Sequence, residues 1–221
     1  MRRPDLGRDC YVAYAYLASA SKGSFPSRDI YESKPMKLNM GCGHNKKPGY
    51  VNVDCSPVCG PDLVYNLEAL PWPWDNDSIA EVLFNHTLEH LGEDSHTFLE
   101  IMKELYRVCK HGAEIKINVP HPRHDSFIND PTHVRVITPE LLRLFDREAC
   151  DEWQRLGGAN TPLAHYLDVD FRVAAAKVIL NEPYSSRFAR GELSAEAIDT
   201  MARELNNVFV QYQIVLVARK K

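Results

Sequence analysis

Apolar and polar residues alternate over 37–40 (KLNM) and 50–54 (YVNVD), which predicts two short strands on either side of a Gly-Cys-Gly turn. Two further runs, DLVYNL at 62–67 and IAEVLFNHTL at 79–88, predict a third and fourth strand, with PWPWDNDS as the loop between them. Phe98, Leu99, Met102, Leu105, Tyr106 and Cys109 then recur at helical spacing, ahead of Lys110, His111 and Gly112, which form a helix C-terminal signal. AEIKINV at 113–119 is the fifth strand. Thr138 before Pro139 and Glu140 has helix-start chemistry for TPELLRLFDRE. Further on, FRVAAAKVIL and VFVQYQIVLVA are strand candidates, with a helix from Ser194 to Asn206 between them. Strand and helix in alternation from Lys37 onward predict an α/β sheet with helices on its faces.

Residues 1–35 break this pattern, with SASKGSFPSRD leading into MKLNMGCG, so the compact domain is expected over 36–221 and the preceding segment as an extension that can hold a helix over Tyr11–Ala20. Arg2 and Arg3 ahead of CYVAYAYLASA resemble a leader peptide. Asp5 and Asp9 dilute that positive end, however, and three tyrosines interrupt the apolar stretch, so the expected location is the cytoplasm. No run approaches the ~20 apolar residues of a membrane span, and no membrane partner is expected.

The 221 residues, 44% hydrophobic and 25% charged, are enough to bury one substantial core. A net charge of -4 provides no overall basic field, which makes nucleic acid a poor first choice of partner. The six cysteines are scattered, as reduced thiols are. Cys55 and Cys59 alone do not complete a tetrahedral site, and no metal is assigned.

The glycine turn does not match a dinucleotide fingerprint: Lys46 stands at the third glycine position, and Asp54 comes too early. Only about seven residues separate Gly43 from Tyr50, shorter than a helical crossover. They can nonetheless reach ~24 Å, and a four-residue strand spans only ~13 Å, so a parallel return needs no helix.

The ordered series LNMGCG, VNVD, NLEALPWPWDNDS, NHTLEHL and the helix running into GAEIKINVP, over residues 36–120, resembles the class I S-adenosylmethionine-dependent methyltransferases, and within them the type 11-like domains. The resemblance implies a Rossmann-like methyltransferase fold: a mostly parallel central sheet, helices on both faces and a late antiparallel strand. It implies S-adenosyl-L-methionine as cofactor. Gly41, Cys42 and Gly43 would let the backbone pass close to its methionine part, and Asp54 would accept from both ribose hydroxyls. Leu67 and Glu68 would lie beside the adenine, with Asn85 and His86 as the wall after strand four. The helix after the glycine turn is missing, and Asn66 stands where the family often has aspartate.

Ligands of open α/β sheets lie beyond the carboxyl ends of the strands. The loop after strand five, NVPHPRHDSFINDPTHVRVITPE, brings His121, His124, Asp125, Asp130, His133 and Arg135 there. Methyl transfer requires alignment and sometimes removal of a proton, which His121, His124 or His133 can perform. Asp130-Pro131 also reads as a turn start, so the same groups can equally bond the loop to itself. The expected activity is methyl transfer to oxygen or nitrogen of a small-molecule acceptor. The alternatives are an S-adenosylmethionine-binding protein without catalysis and a protein or RNA methyltransferase. NHTLEHL takes the place of the Asn/Asp-Pro-Pro-aromatic stretch of adenine-amine methylases, and a Pro-Cys nucleophile is absent. Acceptor and oligomeric state are not legible.

Overall fold

The computed structural model describes residues 35–220. The expected 1–35 extension, Pro35 apart, and its Tyr11–Ala20 helix lie outside the described residues. The strands are β1 (Met36–Met40), β2 (Val51–Asp54), β3 (Leu63–Val64), β4 (Ile79–Asn85), β5 (Cys109–Pro120), β6 (Phe171–Leu180) and β7 (Phe209–Ala218). They form one sheet in the order β3-β2-β1-β4-β5-β7-β6, parallel except for β7, which runs antiparallel to both β5 and β6. This is the mostly parallel sheet with a late antiparallel strand that the family resemblance implied. The chain leaves β1 for β2 and β3 on one side and returns to β4 on the other, which makes the β1/β4 boundary the topological switch.

Strand alternation sorts the two faces. Leu38, Met40, Val82, Phe84, Ile115 and Ile117 enter the core, whereas Lys37, Asn39, Glu81, Lys116 and Asn118 point to the other side. Helix α1 (Ser95–Val108) buries Phe98, Ile101, Met102, Leu105 and Val108, a stripe at helical period, and its first turn is capped by Asp94, whose side chain accepts from Thr97 N at 2.9 Å. The expected helix end at Gly112 lies earlier, at Val108. Cys109 already pairs with Ile79, and the register slips before Glu81 pairs with Glu114, with Gly112 (φ 76°) inside that irregularity.

After β5 come the short helices α2 (Asp125–Ile128), α3 (Pro139–Arg143), α4 (Arg147–Arg155) and α5 (Leu163–Tyr166). Thr138 caps α3 as expected, but the helical run is interrupted by a fresh cap at Asp146, whose carboxylate accepts from Glu148 N and Ala149 N. Between β6 and β7 lie α6 (Tyr184–Ala189) and α7 (Ala195–Glu204), and α7 is capped by Ser194. Leu193, Ile198 and Val208 form a small second cluster there.

No helix separates β1 from β2. In its place two buried asparagines supply the partners that the returning backbone requires. Asn39 Nδ2 donates to Asn45 O (3.0 Å) and to Asn52 Oδ1 (2.9 Å), Asn52 Oδ1 also accepts from Lys47 N (2.7 Å), and Cys42 N donates to Val53 O (2.9 Å).

Glu81 organises the polar side of the sheet. It accepts from Lys37 Nζ (2.7 Å), Lys116 Nζ (2.6 Å) and the Tyr50 hydroxyl. Burial pushes its carboxyl up, but the bonds from Lys116, Lys37 and Tyr50 outweigh burial and hold it at about 2, against 4.5 unperturbed. A depressed folded pKa contributes stability that is complete above about 4.5 and is lost as pH falls towards 2. Glu81→Gln is therefore expected to lower stability at pH 7 by about 1–3 kcal/mol, after discounting for the half-exposed lysines. Denaturant melts of the two proteins should converge between pH 4.5 and 2. Equal stabilities at pH 7 would refute this account.

Candidate active site

The carboxyl ends of β1, β2, β4 and β5 gather at the switch. The turn after β1 has positive φ at Gly41 (65°) and Gly43 (48°). A Cβ on Gly41 would lie 2.3 Å from Thr87 Cγ2, so this glycine is required by the close approach of the turn after β4, whose Thr87 hydroxyl donates to Met40 O at 3.1 Å. A Cβ on Gly43 would meet nothing within 4 Å. Asp54, 5% exposed at the end of β2, closes the turn: Oδ2 accepts from Gly43 N (2.8 Å) and Oδ1 from Ser56 N (2.9 Å). Cys42 is buried beside it, and burial followed by the Asp54 charge pushes its thiol up to about 11, which keeps it protonated.

A cleft of about 340 Å³ adjoins this turn, lined by Asn39, Cys42, Lys46, Leu83, Asn85 and Asn118 among others. Asn85 is fixed from β5, its Oδ1 accepting from Asn118 Nδ2 at 3.0 Å. His86 follows with φ 54°. Its backbone N donates to Asn118 O (2.9 Å), Nε2 faces Gln211 Oε1 (3.1 Å) and Nδ1 lies 3.4 Å from Glu89. Both ring nitrogens face acceptors, and its pKa is raised, first by Glu89, against the effect of burial. Leu67 is buried, and Glu68 Oε1 accepts from Gly92 N at 2.7 Å. A larger open depression of about 630 Å³, between paired charges such as Arg147, Asp170 and Arg219, lies at the amino ends of the parallel strands, away from these groups.

The loop after β5 is sewn to the turn after β4. Val134 N and Arg135 N both donate to Glu89 O (3.0 and 3.1 Å), and Arg135 Nη2 donates to Gly92 O (2.7 Å). Its three histidines have different surroundings. His121 is buried beside Phe209 and Tyr212, and burial first, then Arg123 and His124, lower its pKa. Its Nδ1 accepts from Arg123 N at 3.2 Å. The exposed His124 caps α2, with Nδ1 accepting from Ser126 N. In both rings the neutral proton therefore sits on Nε2. His133 is the reverse: Nδ1 faces Phe127 O at 3.0 Å, an oxygen that only accepts, so the lone pair is on Nε2.

One solved structure, a SAM-dependent methyltransferase from Archaeoglobus fulgidus, superposes over 86% of this chain and 88% of its own with a TM-score of 0.56 at 19% identity. The fold is that of a class I S-adenosylmethionine-dependent methyltransferase. A Methanosarcina mazei SAM-dependent methyltransferase matches over 84% of this chain and 93% of its own (13% identity, TM-score 0.48). Geranyl diphosphate C-methyltransferase from Streptomyces coelicolor A3(2) matches over 85% and 70% (12%, 0.45). No family model and no curated protein matches the sequence.

Asp54 uses two of roughly four carboxylate acceptor sites on the turn, which leaves two that could receive a diol such as the ribose of S-adenosylmethionine, and the space over Gly43 is open. Hydropathy did not flag Thr87, Glu89 or Asn118. Asn118 was recoverable from the parallel β4/β5 alternation, which sets it opposite Asn85. Among the described residues no helix is long and apolar enough to cross a membrane.

Proposed function

We propose that the protein is an S-adenosylmethionine-dependent methyltransferase that acts on an oxygen or nitrogen of a small-molecule acceptor. The observation that carries this reading is the Gly41–Gly43 turn, locked to Asp54 at the switch of the sheet. Gly41, Cys42 and Gly43 would hold the methionine part by backbone, Asp54 the ribose, Leu67 and Glu68 the adenine side, and Asn85 and His86 the wall after β4. When bound, the cofactor supplies a methyl carbon on a sulfonium sulfur, open to in-line displacement. The protein's part is to align an acceptor and to manage its proton.

The loop from His121 to Arg135 would govern acceptance of the methyl group. His121 and His124 would act there as Nε2–H donors and loop supports. His133, with its lone pair on Nε2, is the one of the three suited to receive a proton or an electrophile.

The test is incubation of the purified chain with labelled S-adenosylmethionine and fractionated metabolite extract, with cofactor binding measured alongside by calorimetry. Label is expected in a small-molecule fraction. Label confined to protein or RNA would overturn the acceptor class, and no cofactor binding would overturn the whole reading.

A further inference from the structure

Glu89 is 0% exposed, and neither carboxylate oxygen has a hydrogen-bond partner. A buried carboxylate short of well-placed donors is costly unless a positive charge compensates it. His86 Nδ1, 3.4 Å from Oε1, supplies part of that compensation through a side chain that is itself 44% exposed. The other close groups are His90 and His133, whose ring centroids lie 4.6 Å apart with the planes tilted by 57°. One oxygen of Glu89 and one ring nitrogen of each histidine lie within 4.8 Å of one another.

Neither histidine brings a proton to Glu89 from its neutral form. His90 Nδ1 faces Thr132 O (3.2 Å) and Thr132 Oγ1 (2.9 Å), and that hydroxyl gives its own hydrogen to Asp130 Oδ1 (2.6 Å). The Nδ1 proton of His90 is thereby fixed, as that of His133 is by Phe127 O. One ring nitrogen of each histidine converges with a carboxylate oxygen, and each imidazole is anchored through Nδ1, which leaves Nε2 to ligate as in metal-binding histidines.

We infer that Glu89, His90 and His133 bind a divalent first-row transition-metal ion. Two imidazoles and one carboxylate suit zinc, iron(II), cobalt or manganese, and three protein ligands leave a coordination position open. Bonds of ~2.1 Å set tetrahedral ligands ~3.4 Å apart, so binding would draw the three groups inward by about 1 Å. The ion would clip the loop after β5 to the turn after β4, two segments already joined through Glu89 O. This inference rests on the cluster alone and not on the methyl-transfer reading.

The test uses the full chain without an affinity tag, stripped by chelator and titrated with Zn²⁺, Mn²⁺ and Co²⁺. Metal analysis after desalting should give one ion per chain, Co²⁺ should show a d–d absorption band, and the ion should raise the melting temperature. His90→Gln and His133→Gln should each weaken binding at least ~100-fold, more than a lost outer-shell partner does. His111→Ala, at the far end of β5, should bind as the parent does. Using two histidine variants besides Glu89→Gln keeps the test valid if the glutamate variant does not fold. A chain that takes up none of the three ions, or one whose stoichiometric binding survives in the His90→Gln/His133→Gln double variant, overturns the inference.

Discussion

Asp54→Asn is expected to weaken binding of S-adenosylhomocysteine by roughly 100-fold or more, measured by calorimetry. The ribose hydroxyls would lose charge-assisted acceptors worth roughly 1.5–3 kcal/mol each, and the new amide would turn a donor towards either Gly43 N or Ser56 N, both of which are donors already. Because the carboxylate also closes the glycine turn, a small drop in melting temperature should accompany the loss. Unaltered affinity in a folded Asp54→Asn protein would remove Asp54 from the cofactor site.

His133→Ala is expected to lower turnover by ~10²–10⁴-fold once an acceptor is known, with cofactor affinity within about twofold of the parent. The substitution deletes the Nε2 lone pair of a ring that lies against His90 and near Glu89, but it touches nothing at the glycine turn. His124→Ala removes a four-residue helix's cap and should cost far less. Metal content distinguishes the two ways in which the lone pair can act. A drop in turnover together with loss of the ion marks a ligand, and a drop in a metal-free chain marks a proton acceptor. Parent-like turnover in His133→Ala at every pH would show that the residue plays neither part.

Most of the sheet was legible because its strands obey simple rules. β1, β4 and β5 alternate apolar and polar residues, since one face is core and the other carries Lys37, Glu81 and Lys116. Thr138 announces its helix by its capping chemistry, and the expected helix start at Ser194 is likewise a cap, whereas the Asp94 cap of α1 emerged only in the structure. The helix-less return from β1 to β2 could be judged feasible by length but not explained, because hydropathy counts Asn39 and Asn52 as surface residues and the structure buries both. The glycine turn and its bond to Asp54 were readable for the opposite reason: the glycines and Asp54 are contiguous with strand ends.

The cluster around Glu89 was hidden by two circumstances. Its histidines come from different loops, so no spacing links them. Burial of Glu89 follows from Val134, Arg135 and their loop docking onto its carbonyl, a tertiary event. His124 was misleading in the other direction, since a histidine on an exposed loop looks like chemistry until its Nδ1 is seen capping Ser126 N.

The asparagine-braced return has a consequence for how this part of the chain can vary. In a helical crossover the order is written in backbone bonds that nearly any side chain leaves intact, so the segment tolerates drift in composition. Here the order is written in two amides, and a change at Asn39 or Asn52 strips partners from Asn45 O or Lys47 N directly. The protein has exchanged length for exactness: a shorter path between its first two strands, with fewer spellings that will follow it.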